Sequence, residues 1–363
     1  MRRIGISIYP EKDSAERIKE YLKEAKDFGA CRIFSCLLSA EKDPEEIQKE
    51  FLSMNRYAHE LGYEVILDVS PRVFDMLGIS YSDLTFFKEI EADGIRLDQG
   101  FTGNEEAMMT FNPQGLKIEI NMSNHTHTID TIMDYQPDPY HLIGCHNFYP
   151  HRYTGLTREQ FDACTESFKK YGLHTAAFVG SRSEGSFGPW LVKEGLCTLE
   201  MHRELPLDVQ VKHYVEMGTI DDILISNCYP DENEKVALKK VNLSMVNFSV
   251  KTIENLPVLF HKVVFGELQM NRGDVNANLI RSTQTRVKYK GESFAVINAP
   301  DMIHRGDVTV ESSQYGHYAG EVQIAKTDMK NSGMTNVIGH IRDEELFMLD
   351  ELKPWQKFCF TEE

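Results

Sequence analysis

Gly94-Ile95-Arg96-Leu97-Asp98 and Lys117-Ile118-Glu119-Ile120-Asn121 alternate apolar and polar residues with a period of two. That is the pattern of a β-strand, whose successive side chains point to opposite faces. If Ile95, Leu97, Ile118 and Ile120 face a layer of helices, then Arg96, Asp98, Lys117, Glu119 and Asn121 face the other way. In a closed parallel barrel that direction is the interior. Charged side chains are costly to bury without partners. A cluster of them at the ends of two successive strands therefore points to chemistry rather than packing.

The same alternation of short apolar segments with amphipathic ones runs from the first residue to about residue 240. Strands are expected at residues 4–9, 32–37, 64–69, 94–98, 117–121, 142–148, 175–179 and 222–226. Helical spacing falls between most of them. Ile18, Tyr21, Leu22, Ala25 and Phe28 share one face, as do Ile47, Phe51, Met54 and Ala58. Thr157 and Gln160 have the spacing of a capping box, and Gly29, Gly62 and Gly172 stand where helices should end. Eight βα units in about 240 residues is the repeat count of a (β/α)8 TIM barrel. A doubly wound sheet is the alternative, but no glycine-rich dinucleotide fingerprint follows the first strand. Beyond about residue 250 helical spacing gives way to short alternating segments. They lie at residues 263–268, 285–289, 293–298, 307–311, 320–326, 336–341, 346–349 and 357–361. These imply a compact all-β barrel or sandwich. The expected division is a catalytic barrel over residues 1–245 and a β-barrel domain over 246–363, with residues 231–256 holding the last barrel helix and the connection.

The 363 residues carry a formal net charge of −17. That argues against a broad electrostatic footprint for nucleic acid or anionic lipid, although a few local arginines can still hold one phosphate. No apolar run approaches the roughly 18–20 residues of a membrane span or has the layout of a signal peptide. The seven cysteines are scattered without a CxxC pair, which suits buried thiols in a reducing compartment. A cytoplasmic protein is expected. No cofactor or metal is expected either: His125-Thr126-His127 lacks a clear set of partner ligands. The triplets at residues 272–274 and 305–307 read as hairpin turns.

Active sites of (β/α)8 barrels lie at the C-terminal ends of the strands. That rule selects Tyr9, Asp68, Asp98, Glu119, Asn121, Asn124, His146, Asn147 and Tyr149, with Arg152 and Tyr153 just beyond. For Glu11 and Tyr229, polar loop ends are as good an account. Carboxylates, amides and tyrosines together suit a polyhydroxyl ligand. Two carboxylates on neighbouring strands suit glycoside cleavage, at a separation of roughly 5 Å for a nucleophile or roughly 6.5–9.5 Å for a base acting through water. Asp98 and Glu119 are the expected pair, and Asp68, with the same inward phase, can replace either. The competing account is an internal ion-pair layer in which Arg96 and Lys117 neutralise both acids, lowering their pKa and favouring a nucleophile over a donor. The Gly- and Ser-rich residues 180–189 follow the seventh strand, where barrel phosphate sites often form. Arg152 and Arg182 are the cationic candidates.

Gly5-Ile6-Ser7-Ile8-Tyr9-Pro10, Asp68-Val69-Ser70-Pro71, Gly94 to Asp98, Ile118 to Asn124 and Asn147-Phe148-Tyr149-Pro150-His151-Arg152-Tyr153-Thr154-Gly155-Leu156 resemble one bacterial family. It was long labelled as uncharacterised outer surface proteins and includes the 6-phospho-N-acetylmuramidases of cell-wall recycling. The resemblance extends to His304-Arg305-Gly306-Asp307 and Tyr318-Ala319-Gly320-Glu321-Val322-Gln323-Ile324, similar to that family's cyclophilin-like β-barrel. It implies hydrolysis of the bond between N-acetylmuramic acid 6-phosphate and β-1,4-linked N-acetylglucosamine, inside the cell after phosphotransferase uptake. The phosphorylated disaccharide is then the expected partner. Gln99, where many members carry an aromatic residue, and Val179-Gly180-Ser181-Arg182 depart from the family pattern. Two other readings are a non-catalytic sensor or carrier of such sugars, and imine chemistry at Lys117. In the β domain, Arg281, Arg286 and Arg305 could reach the cleft, though solvated surface is the simpler expectation.

Overall fold

The computed structural model describes residues 1–37, 44–69 and 71–363. Ser70, within one of the family-like motifs, lies outside the described residues. Strands β1 (Arg3–Ile8), β2 (Ala30–Cys36), β3 (Glu64–Val69), β4 (Gly94–Leu97), β5 (Lys117–Asn121), β6 (Leu142–Cys145), β7 (His174–Val179) and β8 (Asp222–Ile225) pair in chain order. All are parallel, and β1 pairs with β8 to close the barrel. Between and after them run α1 (Ala15–Lys26), α2 (Pro44–Glu60), α3 (Pro71–Leu77), α4 (Thr85–Glu89), α5 (Asn104–Met109), α6 (Thr128–Asp134), α7 (Arg158–Lys169), α8 (Leu207–Met217) and α9 (Glu232–Lys239).

Local signals set the helix ends. The Ser14 hydroxyl accepts from Arg17 N at 3.3 Å and starts α1, which buries Ile18, Tyr21, Leu22 and Ala25. Thr157 caps α7 by accepting from Gln160 N at 3.2 Å. Gly29, Gly62 and Gly172 have φ of 83°, 77° and 72°, a left-handed conformation that strains any residue with a Cβ.

The barrel interior is divided. Tyr9, Phe34, Cys36, Cys145, Ala176, Phe178 and Leu224 pack into an apolar sector, with the Phe34 and Phe178 rings edge to face at 5.1 Å. The remaining sector, on β3, β4 and β5, carries Asp68, Arg96 and Glu119. Toward the N-terminal ends of the strands, Arg3 spans Glu64 at 2.8 Å and Asp222 at 2.6 Å, and Lys117 pairs with Glu64. These partners satisfy charges that the interior could not otherwise hold.

Spatial contacts divide the chain into one unit of residues 1–214 and 218–239, and a second of residues 240–363 with 215–217. In the second, β9 (Val246–Thr252), β10 (Gln269–Met270), β11 (Leu279–Ser282), β12 (Met302–Ile303), β13 (Asp307–Glu311), β14 (Val322–Ala325), β15 (Met329–Lys330), β16 (Thr335–Ile341) and β17 (Lys357–Glu362) appear. Seven of them form a sheet in the order β10-β17-β9-β16-β13-β14-β11, and β12 pairs with β15. Its two edges nearly meet: Met270 N donates to Ser282 Oγ at 3.2 Å and Arg272 N to Arg281 O at 3.0 Å.

This unit is not purely β. Residues 263–268 and 285–289, expected as strands, overlap helices α10 (Val258–Phe265) and α11 (Gln284–Lys288), and residues 346–349 lie in a 3-10 helix. No strand forms at residues 293–298. In α10 the valines suggest a strand, yet Phe260, Val263 and Val264 are spaced three and four apart and bury one helical face. Conversely, β9 lies within residues assigned to a connection.

Glu311 ends β13, where burial lifts its carboxyl from 4.5 to about 7, partly offset by a hydrogen bond from Thr335 Oγ1 at 2.8 Å. A folded value above the unfolded one gives stability that is fully present below the unfolded value and lost as pH rises through the folded one. Glu311→Gln is therefore expected to stabilise the fold at pH 8 by about 1–3 kcal/mol and to change little at pH 4. Urea unfolding at both pH values checks this. An equal effect at both would remove the titration as its cause.

Candidate active site

Arg96 organises the charged sector. It stands opposite Asp68 on β3 and Glu119 on β5 in the strand register. Its Nη1 lies 2.6 Å from Asp68 Oδ1 and 3.6 Å from Asp98 Oδ1, while Nη2 donates to Asn147 Oδ1. One guanidinium thus holds two carboxylates and an amide at the C-terminal end of the barrel. Asp68 is buried, and the Asp98 side chain is 36% exposed. Burial pushes the Asp68 carboxyl up to about 6; Arg96 pulls against this, and Asp98 and Glu119 add to it. An acid so placed holds its proton into the range where a general acid works.

Glu119 sits deeper. It is fully buried and its Oε2 pairs with Arg32, also fully buried, which binds Asp222 Oδ2 at 2.6 Å as well. Glu119 Oε1 has no hydrogen-bond partner among the described residues. On β5, the residue that meets Asp98 is Asn121, whose Nδ2 donates to Asp98 O at 3.5 Å. The ion-pair layer considered above does exist: Arg96 pairs with Asp98 as that account has it, while the other partners differ. Lys117 pairs with Glu64, and Arg32 neutralises Glu119. Arg32 escaped notice in the sequence, although it is followed two residues later by Phe34 on the same inward phase.

The loop between β7 and α8 covers the apolar sector. Tyr149 N donates to Cys197 O at 3.0 Å, Thr198 Oγ1 to Asn147 O at 2.7 Å, and Cys228 N to Phe187 O at 2.8 Å. The Phe187 ring meets Tyr229 at 5.7 Å and packs on the apolar interior. A cavity of about 310 Å³ lies in this loop, lined by Arg182, Ser183, Phe187, Trp190 and Lys193 among others. Asp68, Asp98 and Glu119 are not among its lining residues. Arg182 is tied to Glu204, and its N donates to Glu234 Oε1 at 2.8 Å.

Residues 4–240 match the family model described as 6-phospho-N-acetylmuramidase, N-terminal, and residues 246–361 match its C-terminal counterpart. The chain belongs to the 6-phospho-N-acetylmuramidase family. It is a glycosidase of that type, acting on a phosphorylated muramic sugar as the family's name has it. Among solved structures, an uncharacterised B. cereus protein is 42% identical, with a TM-score of 0.90 over 99% of each chain. A conserved Enterococcus faecalis protein of unknown function is 22% identical, with a TM-score of 0.73, over 99% of this chain and 96% of that one. No curated protein matches. No helix among the described residues is long and apolar enough to cross a membrane.

In this 6-phospho-N-acetylmuramidase family member the other expected contacts divide. His146 is a correction. Strand parity turns Cys145 and Asn147 inward and His146 outward, onto α7, where its ring stacks on Phe161 at 4.4 Å. Thr165 Oγ1 donates to Phe161 O at 2.7 Å, so it accepts from His146 Nε2 at 2.9 Å. Nδ1 then accepts from Ser123 Oγ at 3.2 Å, and Ser123 Oγ accepts from Asn147 N at 2.7 Å. Burial, with Arg96 assisting, lowers the imidazole to about 3. A neutral His146 thus faces α7 rather than the barrel interior and is linked through Ser123 to Asn147. Tyr9 is buried in the apolar wall, its hydroxyl donating to Ser226 O.

Tyr149 and Asn121 are partly exposed, and Asn124 is exposed. The exposed Arg152 donates from its N to Glu194 Oε2 at 3.0 Å. Tyr153 is 86% exposed at a φ of 66°. Glu200 holds that turn by accepting from Tyr153 N and Gly155 N, each at 2.8 Å. Hydrogen bonds from Arg203 keep Glu200 at about 2. Glu200 carried no sequence signal beyond its polarity, whereas Ser123 lies in the family-like motif of residues 118–124 without being singled out for a role.

Proposed function

We propose that this glycosidase hydrolyses the β-1,4 bond between N-acetylmuramic acid 6-phosphate and N-acetylglucosamine, in the cytoplasm, with Asp68 as proton donor and Asp98 as the facing carboxylate. The observation that carries this reading is the shared nitrogen of Arg96, 2.6 Å from one acid and 3.6 Å from the other. The two carboxylate oxygens are no farther apart than the sum of those distances. That limit on the nearest oxygens admits the roughly 5–5.5 Å between the carboxyl groups of retaining pairs. Asp68 protonates the leaving oxygen while Asp98 attacks the anomeric carbon. Water, deprotonated by Asp68, then releases the sugar and restores both acids.

This differs from the expected pair of Asp98 and Glu119. Glu119 keeps its inward phase, but its charge is spent on Arg32 below the mouth, so it acts as a positioning residue for the arginines. Asn121, Asn147, Tyr149, Asn124, Arg152 and Tyr153 are the candidates for sugar hydroxyls and ring faces. Arg182 and Lys193, at the cavity after β7, are the candidates for phosphate.

Wild-type protein should release both sugars from the phosphorylated disaccharide, followed by mass spectrometry. Saturable binding without turnover would instead favour a sensor. Arg182→Ala is expected to raise KM for the phosphorylated disaccharide about tenfold, the loss of one exposed charge-assisted contact. An unchanged KM would move the phosphate elsewhere.

A further inference from the structure

We propose that the second unit carries its own binding site for a small anionic saccharide, built on Arg286, Lys290 and Tyr318. Arg281 and Arg286 were expected to be solvated surface. Instead the fully buried Glu321 accepts Arg281 Nε at 2.7 Å and pairs with Arg286 Nη1 at 2.9 Å, leaving the two side chains only 21% and 23% exposed. Both guanidiniums lie over Tyr318, at 5.7 and 4.9 Å from the ring centroid. Arg305, by contrast, is tied into the fold by Lys326 O, Leu346 O and Asp350.

Beside this clamp lies a groove of about 590 Å³, lined by Arg286, Tyr289, Lys290, His317 and Tyr318, with Glu292 as its one acidic residue. A chain of net charge −17 thus presents here a locally cationic, aromatic concavity, with its arginine fixed in advance by a carboxylate that solvent cannot reach. A guanidinium whose orientation is already set binds a carboxylate or phosphate with little further ordering. A tyrosine ring offers a flat apolar face to a pyranose. The anionic part of the ligand follows from Arg286 and Lys290; its sugar part rests on the function proposed above.

Calorimetric titration of the full chain with N-acetylmuramic acid 6-phosphate, which cannot be turned over, and separately with inorganic phosphate, tests the site. Two binding events are expected with the sugar phosphate. Lys290→Glu and Tyr318→Ala should each weaken one of them at least tenfold and leave the other. Only Lys290→Glu should weaken inorganic phosphate. Both variants spare the Glu321 pairs, and an unchanged thermal midpoint confirms folding. Binding, in one event or two, that neither variant weakens would overturn the proposal. Disaccharide hydrolysis reports on the barrel's chemistry separately, so either reading can fail alone.

Discussion

Replacing Asp68 with asparagine is expected to lower kcat/KM toward the phosphorylated disaccharide by about 10²–10⁴-fold, the usual weight of a general acid. The argument rests on environment. Asp68 is buried at the end of β3, and burial is the largest influence on its carboxyl, lifting it to about 6 against the pull of Arg96. Asp98 touches the same Arg96 nitrogen from a position 36% exposed, open to the solvent at the mouth. One acid raised by burial beside a second, solvent-facing carboxylate suits the two roles of a glycosidase. The sign follows directly. A donor must keep its proton, so wild-type kcat/KM should fall about tenfold per pH unit above about 6, and this limb should vanish in Asp68→Asn. A nitrophenyl leaving group needs little protonation and should recover much of the lost rate. If Asp68→Asn keeps wild-type activity and the alkaline limb, Asp68 is not the donor.

The eight barrel strands were legible because each carries its phase in its own residues. Ile95 and Leu97 against Arg96 and Asp98 is a complete statement of which way β4 faces. What could not be read locally was which inward residues meet, since that depends on register between strands far apart in sequence. Arg96 stands opposite Glu119, and Leu97 opposite Ile120, so β5 brings Asn121 rather than Glu119 to the level of Asp98. Arg32 comes from 87 residues before Glu119 to neutralise it. No spacing rule announces such a pair. His146 is a different case: parity alone would have turned it outward, had the alternation been counted through Cys145 and Asn147 rather than every strand-end residue taken as lining the mouth. In the second unit, valine-rich α10 shows how short apolar runs stay ambiguous until their burial is known.

Those buried pairings make the second large effect one of stability. Glu119→Ala is expected to cost about 3–5 kcal/mol of unfolding free energy, the size seen when one partner of a buried ion pair is removed. Arg32 has no exposed surface and is held between Glu119 and Asp222. Asp222 is already shared with Arg3 and His174. Removing Glu119 therefore leaves a guanidinium charge that solvent cannot reach and that Asp222 alone must balance. Glu119→Gln, which keeps an acceptor but not the charge, should lose less. Combining Glu119→Leu with Arg32→Met, which removes both charges, should recover part of the loss. Urea unfolding of the three variants measures this ladder. The same proteins decide the chemistry, because folded Glu119→Gln is expected to stay within about tenfold of wild-type kcat/KM, well short of the roughly 10²–10⁴-fold expected for the donor. Were the folded glutamine variant as inactive as Asp68→Asn, the buried glutamate would be doing more than holding Arg32, and the pair of acids would have to be redrawn as Asp98 with Glu119.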